Sequence, residues 1–383
     1  MKKVAISIVI IGIFTAIVAV VFLEFFPKNA QTSVNEETLS PSNPITEAIS
    51  TMTLKEKVGQ MFFVCVSNDG ISTQDITKYD LGGYVLFADF FENRDKQSAT
   101  ETIKTFQRAS KFPMLIGVDE EGGTVVRVSK YSAYAKTPSL SPQQLYEKGG
   151  FKAIQSDTTS KSQLLLDLGI NVNLAPVCDI STNSGDFIYP RAFGKDPEYT
   201  SKYVTTVVNA SQKAGIGSAL KHFPGYGNNV DTHTGIAIDK RDYKSFSNES
   251  FLPFEAGIAA GAKCVLVNHN IINCMDDKNP ASLSKNVHKE LRKTLNFNGV
   301  IITDDLAMDA IADYTDDENT AVKAVKAGND LLCIRDYKSG IPAVIDKVKS
   351  GEISKKQIDD SVRRIFKWKV SLGLSIKPVG DKK

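Results

Sequence analysis

The stretch "KHFPGYGNNVDTHTG", residues 221–235, holds two of the chain's four histidines. It follows an apolar run ending at Leu220 and is rich in Gly, Asn and Asp, so it reads as a strand end opening into a turn-rich loop. An imidazole titrates near neutrality, which suits His233 to giving and taking a proton, and Asp231 two residues earlier would hold its tautomer and raise its pKa. In an extended Asp-Thr-His segment, residues two apart point the same way. Lys221 and His222 are fixed donors at the strand end, suited to sugar hydroxyls. Farther along, "GVIITDD" places Asp304 and Asp305 after another apolar run. One can be a cap or a support while the other faces a cavity mouth, where a carboxylate can attack an anomeric carbon. "VDEEGGTVVRV" adds Asp119, a Gly pair and Arg127, and "IYPRAFGKDP" puts Arg191 in a Pro/Gly-flanked loop. Singly, each has a structural reading: a helix cap for the Asp, a turn for the glycines, an exposed surface position for the Arg. Their combination is what points to a site.

The elements that must position these residues form a repeating pattern. Eight short apolar runs, "MFFVCV" (61–66), "GGYVLF" (82–87), "MLIGVD" (114–119), "NVNLAPVCD" (171–179), "IGSALKHF" (216–223), "CVLVNH" (264–269), "GVIITDD" (299–305) and "GNDLLCI" (328–334), alternate with longer amphipathic segments such as "ATETIKTFQRAS" and "KKQIDDSVRRIFKWKVSLGL". Such alternation predicts parallel strands with crossover helices, and eight units in one chain of this length predict an α/β fold, a single (β/α)8 TIM-type barrel. Asp119, Asp179, Lys221 with His222, His269, and Asp304 with Asp305 all fall at C-terminal strand ends. In a barrel those ends share the face that carries active sites.

Composition bounds the alternatives. With 46 Lys+Arg against 44 Asp+Glu, the formal charge of +2 leaves no footprint for nucleic acid. The five cysteines, mostly in apolar runs and without CxxC spacing, read as small buried hydrophobes. The chain opens Met-Lys-Lys and runs uncharged from Val4 to Leu23, about the length that spans a bilayer. This predicts an N-terminal transmembrane helix, an uncleaved anchor in preference to a signal peptide, with the rest outside the cytoplasm by the positive-inside rule. The expected organisation is an anchor at 1–26, a flexible linker at 27–44, a catalytic barrel at 45–375 and a polar tail at 376–383.

The motifs "DEEGGTVVR", "NLAPVCDI", "RAF", "KHFPGYG", "DTH", "PASLS" and "GVIITDDLAM" occur in that order. Together they make the sequence resemble glycoside hydrolase family 3, in its β-N-acetylglucosaminidase (β-N-acetylhexosaminidase) branch. The resemblance implies that Asp304 is the nucleophile and that His233, oriented by Asp231, is the general acid/base. It implies too that Asp119, Arg127, Arg191, Lys221 and His222 hold a terminal GlcNAc. The β-glucosidase-like branches lack the Asp-x-His loop and resemble enzymes that draw an acid/base carboxylate from a further domain, which we do not expect here. The family commonly reads "KHFPGHG", and Tyr226 stands in place of the second His.

The resulting expectation is a membrane-anchored, retaining exo-β-N-acetylglucosaminidase acting on peptidoglycan-derived saccharides or muropeptides. It would be a monomer, with no cofactor, metal or nucleic-acid partner. A metal-dependent barrel hydrolase would carry closely spaced His ligands on its first strand, and "MFFVCV" has none. A noncatalytic, anchored wall-glycan binder is the other alternative; it has no need of Asp304, Asp231 and His233 together.

Overall fold

The computed structural model describes residues 44–67, 72–232, 235–312, 314 and 318–377. The apolar run, the linker up to residue 43, His233 and the last six residues of the tail lie outside them, and Pro44 already opens a helix, Pro44–Thr51. Among the described residues no helix is long and apolar enough to cross a membrane.

Eight strands, β1 (Phe62–Val66), β2 (Gly83–Leu86), β3 (Leu115–Val118), β4 (Val172–Asn173), β5 (Gly217–Phe223), β6 (Cys264–Val267), β7 (Val300–Thr303) and β8 (Leu332–Ile334), coincide with the eight apolar runs. From β1 to β7 each strand pairs in parallel with the next, and β8 returns to pair with β1. The seam between β7 and β8 is bridged at Ile302 and Leu331, with the Leu331 N–H donating to the Ile301 carbonyl at 3.1 Å. The result is the expected barrel, nearly closed.

Residue size inside the ring sets how the barrel packs. Phe63 points inward and its ring occupies the space that side chains at Gly83 and Gly117 would need. A Cβ at Gly117 would stand 2.5 Å from the Phe63 ring and one at Gly83 2.8 Å from it. Two glycines on adjacent strands therefore accommodate one aromatic knob, an alternation of large and small that fills the interior. The fourth run pairs regularly over only two residues. Pro176 has no N–H to donate, and the next contact toward β5 is an isolated bridge, Val177 to Lys221.

Helix ends follow local sequence rules. Thr53 and Glu56 form a reciprocal capping box, as do Ser141 and Gln144, and Asp196 caps the helix Pro197–Ala214 with Pro at its first position. Four of the five cysteines are buried as expected, but Cys274 is exposed. It follows Ile272 in a turn outside the barrel strands, and the apolar residues before it are what suggested burial.

The last helix, Lys355–Ser371, carries Trp368 against Gly217 and buries Lys369 against the end of the helix Leu54–Gln60. The Lys369 ammonium donates to Gln60 Oε1 at 2.7 Å, a neutral acceptor. Burial pulls its pKa down to about 7. An unfolded lysine stays protonated to about pH 10.4, so the folded chain binds fewer protons between those values. This destabilising effect is full below about pH 7 and fades as pH rises. Lys369→Met is therefore expected to raise the melting temperature most near pH 7, with the gain over wild type shrinking toward pH 10. Thermal melts across that range check it.

Candidate active site

At the C-terminal face of the barrel a cavity of about 220 Å³ is lined by Asp119, Arg127, Arg191, Lys221, His222 and Asp304, together with Asp305 and Tyr226. All six of the sequence candidates outside the Asp-x-His loop thus come together. Its size lies below the usual range for drug-sized ligands, which starts at about 300 Å³, and suits a single sugar ring.

Lys221 is buried at the end of β5, where its ammonium bridges Asp119 Oδ1 and Glu121 Oε1, each at 2.6 Å. Burial pulls the ammonium pKa down, but the charges of Asp119 and Glu121 outweigh it and the net shift is upward. Glu121 in turn accepts two bonds from Arg191, from Nε at 3.0 Å and from Nη2 at 2.8 Å. Burial pushes the Glu121 carboxyl up, yet Arg191 and Lys221 hold it far below the ordinary carboxylate range. Arg191, read singly as a surface residue, is thereby drawn inward, its side chain 14% exposed.

The same Arg191 Nη2 lies 3.0 Å from His222 Nε2, while His222 Nδ1 lies 2.7 Å from Asp179 Oδ2. Arginine donates and carboxylate accepts, so these partners assign the neutral imidazole with its proton on Nδ1. Both ring nitrogens therefore have partners within the protein, Arg191 on one side and Asp179 on the other, which fixes the ring at the cavity wall. Asp179 also accepts the backbone N–H groups of His222 and Tyr226, at 3.1 and 2.7 Å, and so ties the strand end to the loop that follows.

Asp304 follows β7. Its backbone N–H donates to the Val267 carbonyl at 2.9 Å, and Oδ1 accepts the Asp305 N–H at 2.9 Å. Burial pushes its carboxyl up, but His222, His269, the Asp305 N–H and Lys221 pull harder, and the net shift is downward. Asp305 turns the other way: burial raises it, and it accepts the Ala307 N–H at 3.0 Å and pairs with Arg335 at 3.3 Å. Of the two, Asp305 is the support and Asp304 the carboxylate kept ionised. His269 donates from Nε2 to the Asp305 carbonyl at 3.0 Å and meets Ser282 of the "PASLS" segment at 2.7 Å.

Arg127 is placed by Glu120, whose fully buried carboxylate accepts the N–H groups of Arg127, Val128 and Ser129. Its guanidinium lies 6.0 Å from the Phe87 ring centre, and its Nε has no hydrogen-bond partner among the described residues. Asp231 is half-buried and does not line the cavity. His233, its expected partner, lies outside the described residues. Tyr226 sits edge-on to His222 with ring centres 5.4 Å apart, and its hydroxyl hydrogen-bonds Thr232 Oγ1, the residue between Asp231 and His233. The residue that departs from "KHFPGHG" thus ties the Asp-x-His segment to the cavity wall. Tyr226→Phe is expected to leave binding nearly intact and lower kcat about tenfold, the scale of one lost buried hydrogen bond, read as a KM-against-kcat split.

Sequence reasoning assigned no role to Glu121, although it lies inside "DEEGGTVVR". It also treated Asp179 only as a strand-end residue. Glu121→Gln is expected to cost about 3–5 kcal/mol by leaving the buried Arg191 guanidinium without its carboxylate. Because the folded carboxyl is depressed, this contribution is present above the ordinary glutamate range and is lost as pH falls toward its lowered value. Denaturant melts at pH 7 and pH 4 should show the gap closing.

The chain is similar to "Beta-hexosaminidase A" of Pseudoalteromonas piscicida, 29% identical over 325 residues, covering 78% of this chain and 54% of that one. It is similar to "Beta-hexosaminidase" of Glaesserella parasuis, 31% identical, covering 72% and 80% respectively. Among solved structures, a glycoside hydrolase family 3 beta-N-acetylglucosaminidase from a Paenibacillus species superposes with a TM-score of 0.77 at 30% identity, over 84% of this chain and 63% of that one. The chain therefore spans little more than half the length of the Pseudoalteromonas relative and under two thirds of the Paenibacillus structure. The family model for the "Glycosyl hydrolase family 3 N terminal domain" matches residues 53–368, the whole of the barrel from its first capping box to Trp368, and the chain belongs to that family.

Proposed function

We propose that the protein is a retaining exo-β-N-acetylglucosaminidase that removes terminal β-linked GlcNAc from peptidoglycan-derived saccharides or muropeptides. The observation that carries this reading is Asp304: an ionised carboxylate at a strand end, in a cavity sized for one sugar and walled by the Asp119–Lys221–Glu121–Arg191 network. The names carried by its relatives supply the sugar.

In this mechanism Asp119 and Lys221 receive the hydroxyls of the terminal sugar, with Arg191 and Arg127 at the cavity wall. Asp304 attacks the anomeric carbon as His233 protonates the leaving oxygen, giving a glycosyl ester on Asp304. His233 then takes a proton from water, which attacks the same carbon and releases the sugar with its configuration retained. Asp231 holds the imidazole's tautomer. No step calls on a cofactor. The apolar run Val4–Leu23 would anchor a monomer to the membrane with the barrel on the extracytoplasmic side.

The stereochemistry tests the reading directly. Proton NMR of early hydrolysis of an aryl β-GlcNAc glycoside is expected to show β-GlcNAc first, followed by slow mutarotation. First appearance of the α-anomer would sink the double-displacement mechanism.

A further inference from the structure

Closure of the ring makes β1 and β8, the first and last strands, neighbours, and each presents a cysteine to the cavity. Cys65 and Cys333 are both unpaired thiols, each 4% exposed, with their Sγ atoms 3.4 Å apart. Cys178 and Cys264 are buried on other strands or strand ends, and Cys274 is on the surface. The Cys333 backbone is bonded to both sides of the Asp304–Asp305 pair: its N–H donates to Thr303 Oγ1 at 3.0 Å, and its carbonyl accepts the Leu306 N–H at 2.9 Å.

We propose that Cys65 and Cys333 form a thiol–disulfide site that joins the two ends of the barrel and controls the position of Asp304. A disulfide requires sulfurs about 2.05 Å apart, so forming it draws the pair together by more than an ångström from the thiol separation. Because Cys333 holds Thr303 and Leu306, part of that movement passes to the carboxylate between them. The two thiols lose two protons and two electrons as the S–S bond forms. A small oxidant entering through the cavity takes them up; diamide does so at its N=N bond, becoming the hydrazine. The bond closes a loop spanning 268 positions in sequence, which restricts the unfolded chain strongly and raises thermal stability. Its effect on turnover rests on the nucleophile reading of Asp304; formation of the bond does not.

The test uses the full chain in detergent with Cys274→Ser, to remove the exposed thiol. The protein is treated with diamide, alkylated and mapped by mass spectrometry without reduction, beside melting curves and turnover of an aryl β-GlcNAc glycoside. The expected results are a peptide pair joining Cys65 to Cys333, a higher melting temperature and a fall in kcat. A displacement of this size near the chemistry corresponds to about 10²-fold, reversed by dithiothreitol. Adding Cys65→Ser should make the ratio of treated to untreated rates equal to one, whatever its basal rate. Four alkylated thiols after diamide, or a bond between other cysteines, overturns the proposal. A Cys65–Cys333 bond with unchanged turnover overturns the control of Asp304. A protein inactive in both states counts against the Asp304 reading, while mapping and melting still decide the bond.

Discussion

Asp304→Asn is expected to abolish nearly all turnover of an aryl β-GlcNAc glycoside, with kcat/KM falling on the order of 10⁴-fold or more, the scale seen when a catalytic nucleophile is removed. The substitution preserves shape. The amide oxygen can still accept the Asp305 N–H, and the backbone bond to Val267 is untouched, so melting should change little. What disappears is the anionic oxygen that would bond to the anomeric carbon, and with it the charge opposite Lys221. In the wild type the carboxyl is held below its ordinary range, so kcat/KM should stay flat through the usual aspartate titration and fall only at lower pH. A variant that keeps its rate, or one that fails through misfolding, would separate chemistry from structure at once.

The second large effect concerns proton transfer. His233→Ala is expected to lower kcat by about 10²–10⁴-fold on a glycoside with an alcohol leaving group, the usual contribution of general acid catalysis. A nitrophenyl glycoside, whose leaving group needs no proton, should lose far less in glycosylation and instead accumulate the glycosyl-enzyme. Asp231→Asn should reproduce the pattern more weakly, because it disturbs the tautomer of the imidazole without removing it. Equal losses on both leaving groups would assign His233 to binding instead. This split distinguishes the loop's role without reference to its conformation.

Much of this architecture was legible from residue order. The eight strands are short runs of Val, Ile, Leu and Phe bounded by polar residues, and burial on both faces is what such runs demand. That regularity is enough to place Asp119, Lys221, His222 and Asp304 on one face. The residues that escaped notice did so for physical reasons. Glu121 and Asp179 act by pairing with groups distant in sequence, Glu121 with Arg191 and Lys221, Asp179 with His222. No local periodicity encodes such partners, though "DEEGG" and "PVCD" contained them. The Cys65–Cys333 contact exists only because the ring closes, and read as isolated small hydrophobes the two cysteines showed nothing of it. Lys369 lies in a helix whose pattern gives its buried face, yet a lysine there reads as solvated until the helix Leu54–Gln60 is seen packed against it. Tyr226 looked like a departure from a motif; its hydroxyl bond to Thr232 gives that departure a use.

The double displacement requires a covalent bond at Asp304. Rapid acid quench of His233→Ala during turnover of a nitrophenyl β-GlcNAc glycoside, followed by proteolysis and mass spectrometry, should find one N-acetylhexosaminyl adduct, on the peptide containing Asp304. An adduct on another residue, or hydrolysis that proceeds with no adduct at any quench time, would contradict it.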